Sequence, residues 1–200
     1  MTDDKSNRAN FASMEAATSE DWAKVAAGKK VFNQTLPSRM LEHLQLLEGM
    51  HWGFAVDRLT HYLQSATLAH RAGMDEEYVV CALLHDVGYT IAPRSHSHLA
   101  AAVLGPFVSE ENYWMIAHHE IFEGYYFQHH FGGNRNAREA FRGHPHFERT
   151  AHFCDAFDQR AFDPNFEAMP LEAFAPMLER QLTLSREIRL ARANTVSVTS

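Results

Sequence analysis

Apolar residues recur along most of the chain at spacings of three and four positions, which is typical of α-helices. In the stretch before Gly49, the residues Met40, Leu41, Leu44 and Leu47 follow this spacing. Glycine is a common residue just past the end of a helix, so Gly49 is expected to end this one. We find no segment with the strict alternation of a half-buried strand. The pattern predicts an all-α protein.

Residues that favour helix starts and ends divide the chain into successive amphipathic segments. The segments predicted to be helical are 19–33, 37–48, 56–72, 76–87, 97–104, 110–122, 135–142, 146–162 and 171–193. We expect residues 1–18 to be disordered, residues 19–190 to form a single domain and residues 191–200 to be a flexible tail.

Length and composition limit the class of protein. The chain has 200 residues, is 46% hydrophobic and carries a net charge of −7. This length suits one domain with a sizeable core, and the acidic balance argues against a nucleic-acid surface. No apolar run reaches the roughly 18 residues of a membrane span, and the polar N-terminus does not resemble a signal peptide. We therefore expect a cytoplasmic protein that acts on a small molecule, with both cysteines as buried thiols. Nothing in the pattern indicates an oligomeric state.

The segment ALLHDVGYT, residues 82–90, ends an apolar run with two adjacent ionisable residues, His85 and Asp86. Burying such groups costs several kcal/mol (about 2–7 per unpartnered polar group), so they need a partner. Adjacent side chains on a helix diverge by roughly 100°, and they can face one point only near a helix end. Gly88 supplies that end. The pair is therefore a candidate for metal binding.

Other histidines and an aspartate on separate predicted helices complete a candidate metal centre. Histidine is a common metal ligand, and helix bundles build metal sites from side chains on facing helices. Six ligands exceed what one metal usually needs, so we predict two metals about 3.5–4 Å apart, bridged by Asp86. Iron, manganese, zinc and cobalt all suit nitrogen and carboxylate ligands. The predicted sets are His61, His85 and Asp158 for the first metal, and His96 and His119 for the second.

Two of these assignments have neighbouring alternatives. His98 could replace His96, and His118 could replace His119, because only one residue of each pair can point inward. We prefer His96 and His119. Five other histidines are expected to lie on the surface or in packing contacts: His129, His130, His144, His146 and His152.

The spacing of His61, His85-Asp86 and Asp158 resembles the H…HD…D motif of the HD-domain superfamily. His96 and His119 resemble the added ligands of its dinuclear branch. Residues 37–182 are similar to predicted HD phosphohydrolases, whose relatives include the organophosphonate-degrading di-iron oxygenases. The resemblance implies a helical bundle with a buried mixed-valence site of two iron ions (Fe2+/Fe3+). It also implies that O2 oxidises a small 1-hydroxyphosphonate and that the C–P bond is cleaved, giving a carboxylate and phosphate.

Several positions depart from the phosphonate oxygenases. Tyr89 stands where they place a substrate-contacting histidine, and Glu123 stands where they use a lysine for the phosphonate. A carboxylate there disfavours a dianionic group by Coulomb's law. His51 corresponds to a mobile tyrosine that occupies the second metal until substrate arrives, so we expect it to be a gating ligand. We expect Tyr89, Glu123 and Arg142 to bind substrate.

Two alternatives stay open at this stage. The first is a metal-dependent phosphohydrolase of the same superfamily, acting on a nucleotide or another phosphoester and using manganese or zinc. The second concerns the substrate. Trp52, Phe122, Tyr125 and Tyr126 are expected to be core residues, but with Glu123 they could instead enclose a quaternary ammonium group.

Overall fold

The computed structural model describes residues 7–188, and this part of the chain is all-helical. No strand occurs within these residues. The α-helices are α1 (Ser19–Gln34), α2 (Leu36–Gln45), α3 (Arg58–Arg71), α4 (Glu76–Leu84), α5 (His96–Leu104), α6 (Glu110–Phe127), α7 (Phe147–Phe153) and α8 (Leu171–Leu182). The all-α prediction is confirmed. None of the described helices is both long enough and apolar enough to cross a membrane.

Short polar side chains start several of these helices. The Asp57 carboxylate accepts a hydrogen bond from the Thr60 backbone N–H at 2.7 Å, at the start of α3. Asp75 does the same for Tyr78 at 2.8 Å, at the start of α4. Thr18 and Asp21 form a reciprocal capping box on α1. Such caps satisfy backbone donors that a helix start leaves without a partner, and they explain why these helix starts were predictable.

Helix α4 is the central helix of the bundle. Its residues from Tyr78 to Leu84 are all buried, as expected of a helix that is hydrophobic all round. It packs against α3, α6 and α8. Because α4 runs through the core, the residues that follow its last turn lie in the interior of the bundle.

Some helix predictions differ from the structure. Residues 135–142 form only a 3-10 helix, Ala137–Phe141. The predicted helix 146–162 is the short α7 followed by a π-helical turn, Cys154–Asp158. The final helix was expected to span residues 171–193. Helix α8 ends at Leu182, residues 186–188 are helical again, and residues 189–193 lie outside the described part of the chain.

The expected disordered and flexible ends lie partly or wholly outside the described residues. Residues 1–6 and 189–200 belong to that part. Within the expected disordered N-terminus, Met14–Ala16 form one 3-10 turn, and the Asn10 backbone N–H donates to Asp21 at 3.0 Å.

Candidate metal centre

The residue Asp86 owes its position to the end of α4. The helix stops at Leu84, and Asp86 has φ −109° and ψ 10°, outside the helical region. This backbone conformation is sparsely populated and often occurs at active-site residues. The Tyr62 hydroxyl on α3 donates to the Asp86 backbone carbonyl at 2.9 Å. The change of direction lets His85 and Asp86 point at one place although they are adjacent.

Six side chains from five parts of the chain meet in the interior, and we call them the ligand cluster. Each is at most 4% exposed. Subsets of these side chains place their donor atoms within 4.8 Å of one another, which is close enough to hold a metal ion. The members are His61 on α3, His85 and Asp86 after α4, His96 on α5, His119 on α6 and Asp158 in the π-helical turn.

The Asp86 carboxylate lies between two pairs of histidines. Its Oδ1 is 3.0 Å from His119 Nε2 and 3.1 Å from His96 Nε2. Its Oδ2 is 3.4 Å from His85 Nε2 and 3.8 Å from His61 Nε2. One carboxylate oxygen thus faces each pair, which is the arrangement that a bridging ligand requires.

Asp158 completes the first of these groups. Its Oδ1 is 3.4 Å from His61 Nε2 and 3.5 Å from His85 Nε2. Both carboxylate oxygens are fully buried, and neither accepts a hydrogen bond from any residue in 7–188. An ionised carboxylate without such a partner is costly to bury, and a bound cation would compensate that cost.

The four histidines of the ligand cluster share one orientation. Each Nδ1 lies against a backbone carbonyl oxygen, so Nδ1 carries the proton and donates it, leaving the Nε2 lone pair toward the centre. Metal-binding histidines are commonly oriented in this way. The Nδ1-to-oxygen distances are 3.0 Å for His61 to Ala161, 2.7 Å for His85 to Ala82, 3.3 Å for His96 to Pro93 and 2.7 Å for His119 to Ile116.

This orientation sets two lone pairs against each other. His61 Nε2 and His85 Nε2 are 3.2 Å apart, and two neutral rings that both donate through Nδ1 cannot hydrogen-bond through Nε2. Only a proton or another cation between the rings makes the contact favourable. With the unpaired Asp158 carboxylate, this contact makes the donor set fit a metal cation.

The charges of the cluster shift its pKa values in opposite directions. Burial lowers the pKa of His61. Burial acts the same way on His85, but the neighbouring Asp86 and Asp158 outweigh it and raise its pKa. The Asp86 pKa lies well below its usual range, because His85, His119, His96 and Arg58 together outweigh the effect of burial. Burial raises the pKa of Asp158, but His85 and His61 outweigh it and lower that pKa, so both carboxylates are ionised near neutral pH.

Arg58 is a member of the site that the sequence analysis missed. It lies one turn before His61 on α3, is 4% exposed and forms an ion pair with Asp86 Oδ2. Its guanidinium also lies 5.0 to 5.3 Å from the ring centroids of Tyr89, Tyr62 and Trp52. The i, i+3 spacing from His61 was the signal that could have placed it on the inward face.

Gly88 allows the turn after Asp86 to approach α5 closely. A Cβ atom at this position would lie 2.5 Å from the backbone oxygen of His96 and 2.8 Å from its Cα. Backbone atoms cannot yield as a flexible side chain can, so a larger residue must push the turn and α5 apart.

We therefore expect Gly88→Ala to displace His96 from the cluster. The variant should keep its helical circular dichroism but hold one metal equivalent fewer than the native chain, as measured by elemental analysis. A matched control is Gly28→Ala, because a Cβ atom there has nothing within 4 Å. If Gly88→Ala retained the full metal content, the close approach would not be what positions His96.

A cavity of about 570 Å³ adjoins the ligand cluster. Two of its lining rings stack on ligands: Tyr89 on His96 at 3.9 Å between centroids, and Phe162 on His61 at 4.3 Å. Glu123 also lines it, and burial together with Asp158 and Asp86 raises the pKa of Glu123 well above its usual value. The structure thus places Tyr89 and Glu123 beside the cluster, where a substrate could reach both.

Other sequence-predicted residues lie elsewhere. The Arg142 side chain is on the surface, where it pairs with Glu139 at 2.8 Å and Glu148 at 3.3 Å, so the structure does not bring it to the cluster. His51 is exposed in the loop before α3. His118 stacks on Trp114 at 4.0 Å and donates to its carbonyl.

His98 and the aromatic residues named in the sequence analysis lie in different parts of the structure. His98 lines a second cavity, of about 440 Å³, between α5 and α6. Among the aromatic residues named as a possible ammonium site, Phe122 is buried in the core and Tyr125 packs under Arg138, with the guanidinium 3.7 Å from the ring centroid. Tyr126 lines the cavity beside the cluster. Trp52 is 52% exposed.

Comparison with known proteins agrees with this geometry. The family model for the HD domain matches residues 58–190, which include every member of the ligand cluster. No curated protein matches the chain. The family match indicates a metal-dependent enzyme, and the buried His and Asp groups could hold its metal. With this match covering more than half of its length, the chain belongs to the HD-domain family.

Proposed function

We propose that the protein is a non-haem di-iron oxygenase that uses O2 to oxidise a small hydroxylated substrate. The proposed substrate is a 1-hydroxyphosphonate, which would be cleaved at the C–P bond to a carboxylate and phosphate. The observation that carries the proposal is the division of the ligand cluster by Asp86 into two unequal groups.

The two groups differ in how many protein donors they supply. The first group contains His61, His85 and Asp158 beside Asp86 Oδ2. The second contains only His96 and His119 beside Asp86 Oδ1. A metal held by three protein donors keeps open positions for substrate and a small reactant, as catalytic sites do. This favours chemistry at the second position.

The donor types are compatible with iron. The cluster contains nitrogen and carboxylate donors, and the two cysteines of the chain lie outside it, although both are buried. Imidazole and carboxylate ligands with open positions suit non-haem iron that reacts with O2. When bound, two irons would supply the binding and reduction of O2, which no side chain of the chain can perform alone.

The residues around the cluster have distinct roles in the proposed reaction. Asp86 and the carbonyl-anchored histidines hold the reacting centre in fixed geometry. Phe162 and Tyr89 cover His61 and His96 on the cavity side and limit water near the cluster. Arg58, the buried cation beside Asp86, is suited to hold an anionic group of the substrate through its guanidinium fork.

The deciding experiment is metal analysis of the protein purified without added metal, followed by electron paramagnetic resonance after partial oxidation. We expect two irons per chain and a mixed-valence signal. The protein should then consume O2 in the presence of a 1-hydroxyphosphonate and release one phosphate for each O2 consumed. A protein that holds manganese or zinc and takes up no oxygen would contradict the proposal.

Single ligand variants should separate the two metal positions. The carboxylate oxygen that pairs with His119 Nε2 is Asp86 Oδ1, at 3.0 Å, although the His119 ring also packs edge-on against His85 and His96. His119→Ala is therefore expected to lose mainly the second metal and most of the activity. His61 approaches both Asp86 and Asp158, so His61→Ala should weaken the first metal. Calorimetric titration of metal into each metal-free variant should show one remaining tight metal site in His119→Ala. Equal loss of both sites in both variants would indicate one shared metal instead of two.

Arg58 also favours a second candidate, a phosphohydrolase. An arginine fork binds a phosphoryl group bidentately, and a metal-activated water could attack phosphorus in the same cluster. The assays above separate the candidates, because hydrolysis of a nucleotide or phosphoester needs no O2. Phosphate release that continues under anaerobic conditions with manganese would favour this function.

A further inference from the structure

The cavity beside the ligand cluster has a wall that is largely aromatic. Phe54 stacks on Phe162, with ring centroids 4.9 Å apart, and Tyr89 and Phe162 each stack on a ligand histidine. These rings line a volume of about 570 Å³, which suits a small molecule. The aromatic lining residues are Phe54, Tyr89, Tyr126, Phe127, Phe131 and Phe162.

One carboxyl group interrupts this wall. Among the described residues that line the cavity, Glu123 is the only acid, and neither arginine nor lysine is present. Within residues 7–188, no side chain or backbone group forms a hydrogen bond or ion pair with the Glu123 carboxyl. A largely enclosed polar group without a partner is unfavourable, and it points to a ligand that supplies one.

The chemistry of the wall specifies that ligand. Aromatic faces carry negative charge and attract cations, and methylated ammonium groups are the ligands typically held in aromatic cages. A bound cation would favour the ionised form of the enclosed Glu123 carboxyl, and its attraction to that carboxylate would be stronger in a low-dielectric cavity than in water. A neutral apolar group would gain the ring contacts alone, and an anion would be repelled by Glu123.

We propose that this cavity binds an alkylated ammonium group, with Glu123 as its counter-ion and the aromatic residues as its walls. The inference rests on the proposed function, because the ammonium end would position a substrate whose reacting end meets the metals. The substrate is then dipolar, with its cation beside Glu123 and its hydroxyl and anionic groups toward the ligand cluster and Arg58.

Isothermal titration under anaerobic conditions tests the proposal without turnover. The probes are choline and its uncharged carbon isostere, in which a tert-butyl group replaces trimethylammonium. We expect the purified full chain to bind choline about tenfold more tightly than the isostere. Glu123→Gln, which keeps the side-chain size, should abolish this preference while leaving the affinity for the isostere unchanged.

Two further variants test whether the preference for choline arises in this cavity. Phe127→Leu keeps an apolar lining group but removes an aromatic face, so it should weaken choline binding more than isostere binding. Glu139→Gln removes an exposed carboxylate that pairs with Arg142, and it should leave both affinities unchanged. Circular dichroism would verify that each variant is folded.

The result that would overturn the proposal is equal affinity for choline and the isostere in the native chain, or a preference that survives in Glu123→Gln. The assay is independent of the oxygenase. A clear preference for choline without oxygen uptake on any hydroxylated substrate would support the cavity assignment and contradict the proposed function. Oxygen uptake without any preference for the cation would do the reverse.

Discussion

The variant Asp86→Ala is expected to hold neither metal ion, whereas the native chain should hold two. Asp86 is the only member of the ligand cluster with an oxygen facing each histidine pair, at 3.0 to 3.8 Å from the four Nε2 atoms. Its removal leaves the two histidine pairs joined by no bridging carboxylate, and Asp158 as the only anionic ligand. Elemental analysis should show metal content near zero and complete loss of activity.

The same change leaves the Arg58 guanidinium buried without its partner. Removing one member of a buried ion pair typically costs about 3–5 kcal/mol, so loss of metal through unfolding must be distinguished from loss of a ligand. Asp86→Asn keeps the side-chain volume and one acceptor oxygen for Arg58, and it should fold but bind at most one metal weakly. Asp155→Ala is the matched control, because Asp155 is exposed in the same π-helical turn as Asp158. Full metal content in a folded Asp86→Asn would contradict a bridging role.

The part of the fold that was predictable is the part governed by local signals. The apolar run Tyr78–Leu84 predicted a buried helix, and Asp75 predicted its start, because a cap and a continuous apolar surface act within a few residues. The pair His85-Asp86 predicted a buried polar centre, since two ionisable residues at the end of such a helix need a partner. The structure brings this pair together with the four other predicted ligands, which were selected by their places on separate helices and by the family resemblance.

Two features of the site leave no signal in the apolar and polar pattern of the chain. The π-helical turn that presents Asp158 has its i to i−5 hydrogen bond from the Gln159 N–H to the Cys154 carbonyl, at 3.1 Å. Nothing in the apolar spacing of 146–162 distinguishes it from an α-helix. The close approach of Gly88 to His96 also joins two segments whose packing no local pattern encodes.

Arg142 is a predicted substrate-binding residue that the structure places away from the ligand cluster. Its side chain pairs with Glu139 and Glu148 on neighbouring turns. Arg138 and Arg135 instead lie over the Tyr125 ring, at 3.7 and 4.2 Å from its centroid. These contacts accompany a 3-10 segment where an α-helix was expected. The buried cation of the site is Arg58, whose position in the fold, and not its charge, gives it access to Asp86.

The second large effect is expected from Arg58→Met, and it should depend on whether metal is bound. In the metal-free protein, Arg58 is the only arginine or lysine of the described residues that forms an ion pair with Asp86. Its loss should destabilise that form by about 3–5 kcal/mol, because the Asp86 carboxylate stays buried. At roughly 2–4 °C per kcal/mol for a chain of this size, Tm should fall by roughly 6–20 °C. Bound metals would neutralise Asp86 themselves, so the metal-loaded variant should lose less than half as much.

Thermal unfolding in the presence of a chelator and in the presence of excess metal gives the two values directly. Met is a long, unbranched and apolar side chain suited to fill the space beside Tyr62 and Tyr89, whose ring centroids lie 5.3 and 5.0 Å from the Arg58 guanidinium. Any packing loss should be the same in both forms. Arg149→Met is the matched control: Arg149 is a partly buried arginine that donates to Asn112 and lies over Tyr78, remote from Asp86. Its loss should lower Tm equally with and without metal.

An equal decrease in Tm for Arg58→Met in both conditions would mean that Arg58 stabilises the fold by packing alone. A loss confined to the metal-free form would identify Arg58 as the cation that balances the Asp86 charge until metal binds, which would leave its guanidinium available for an anionic group of the substrate.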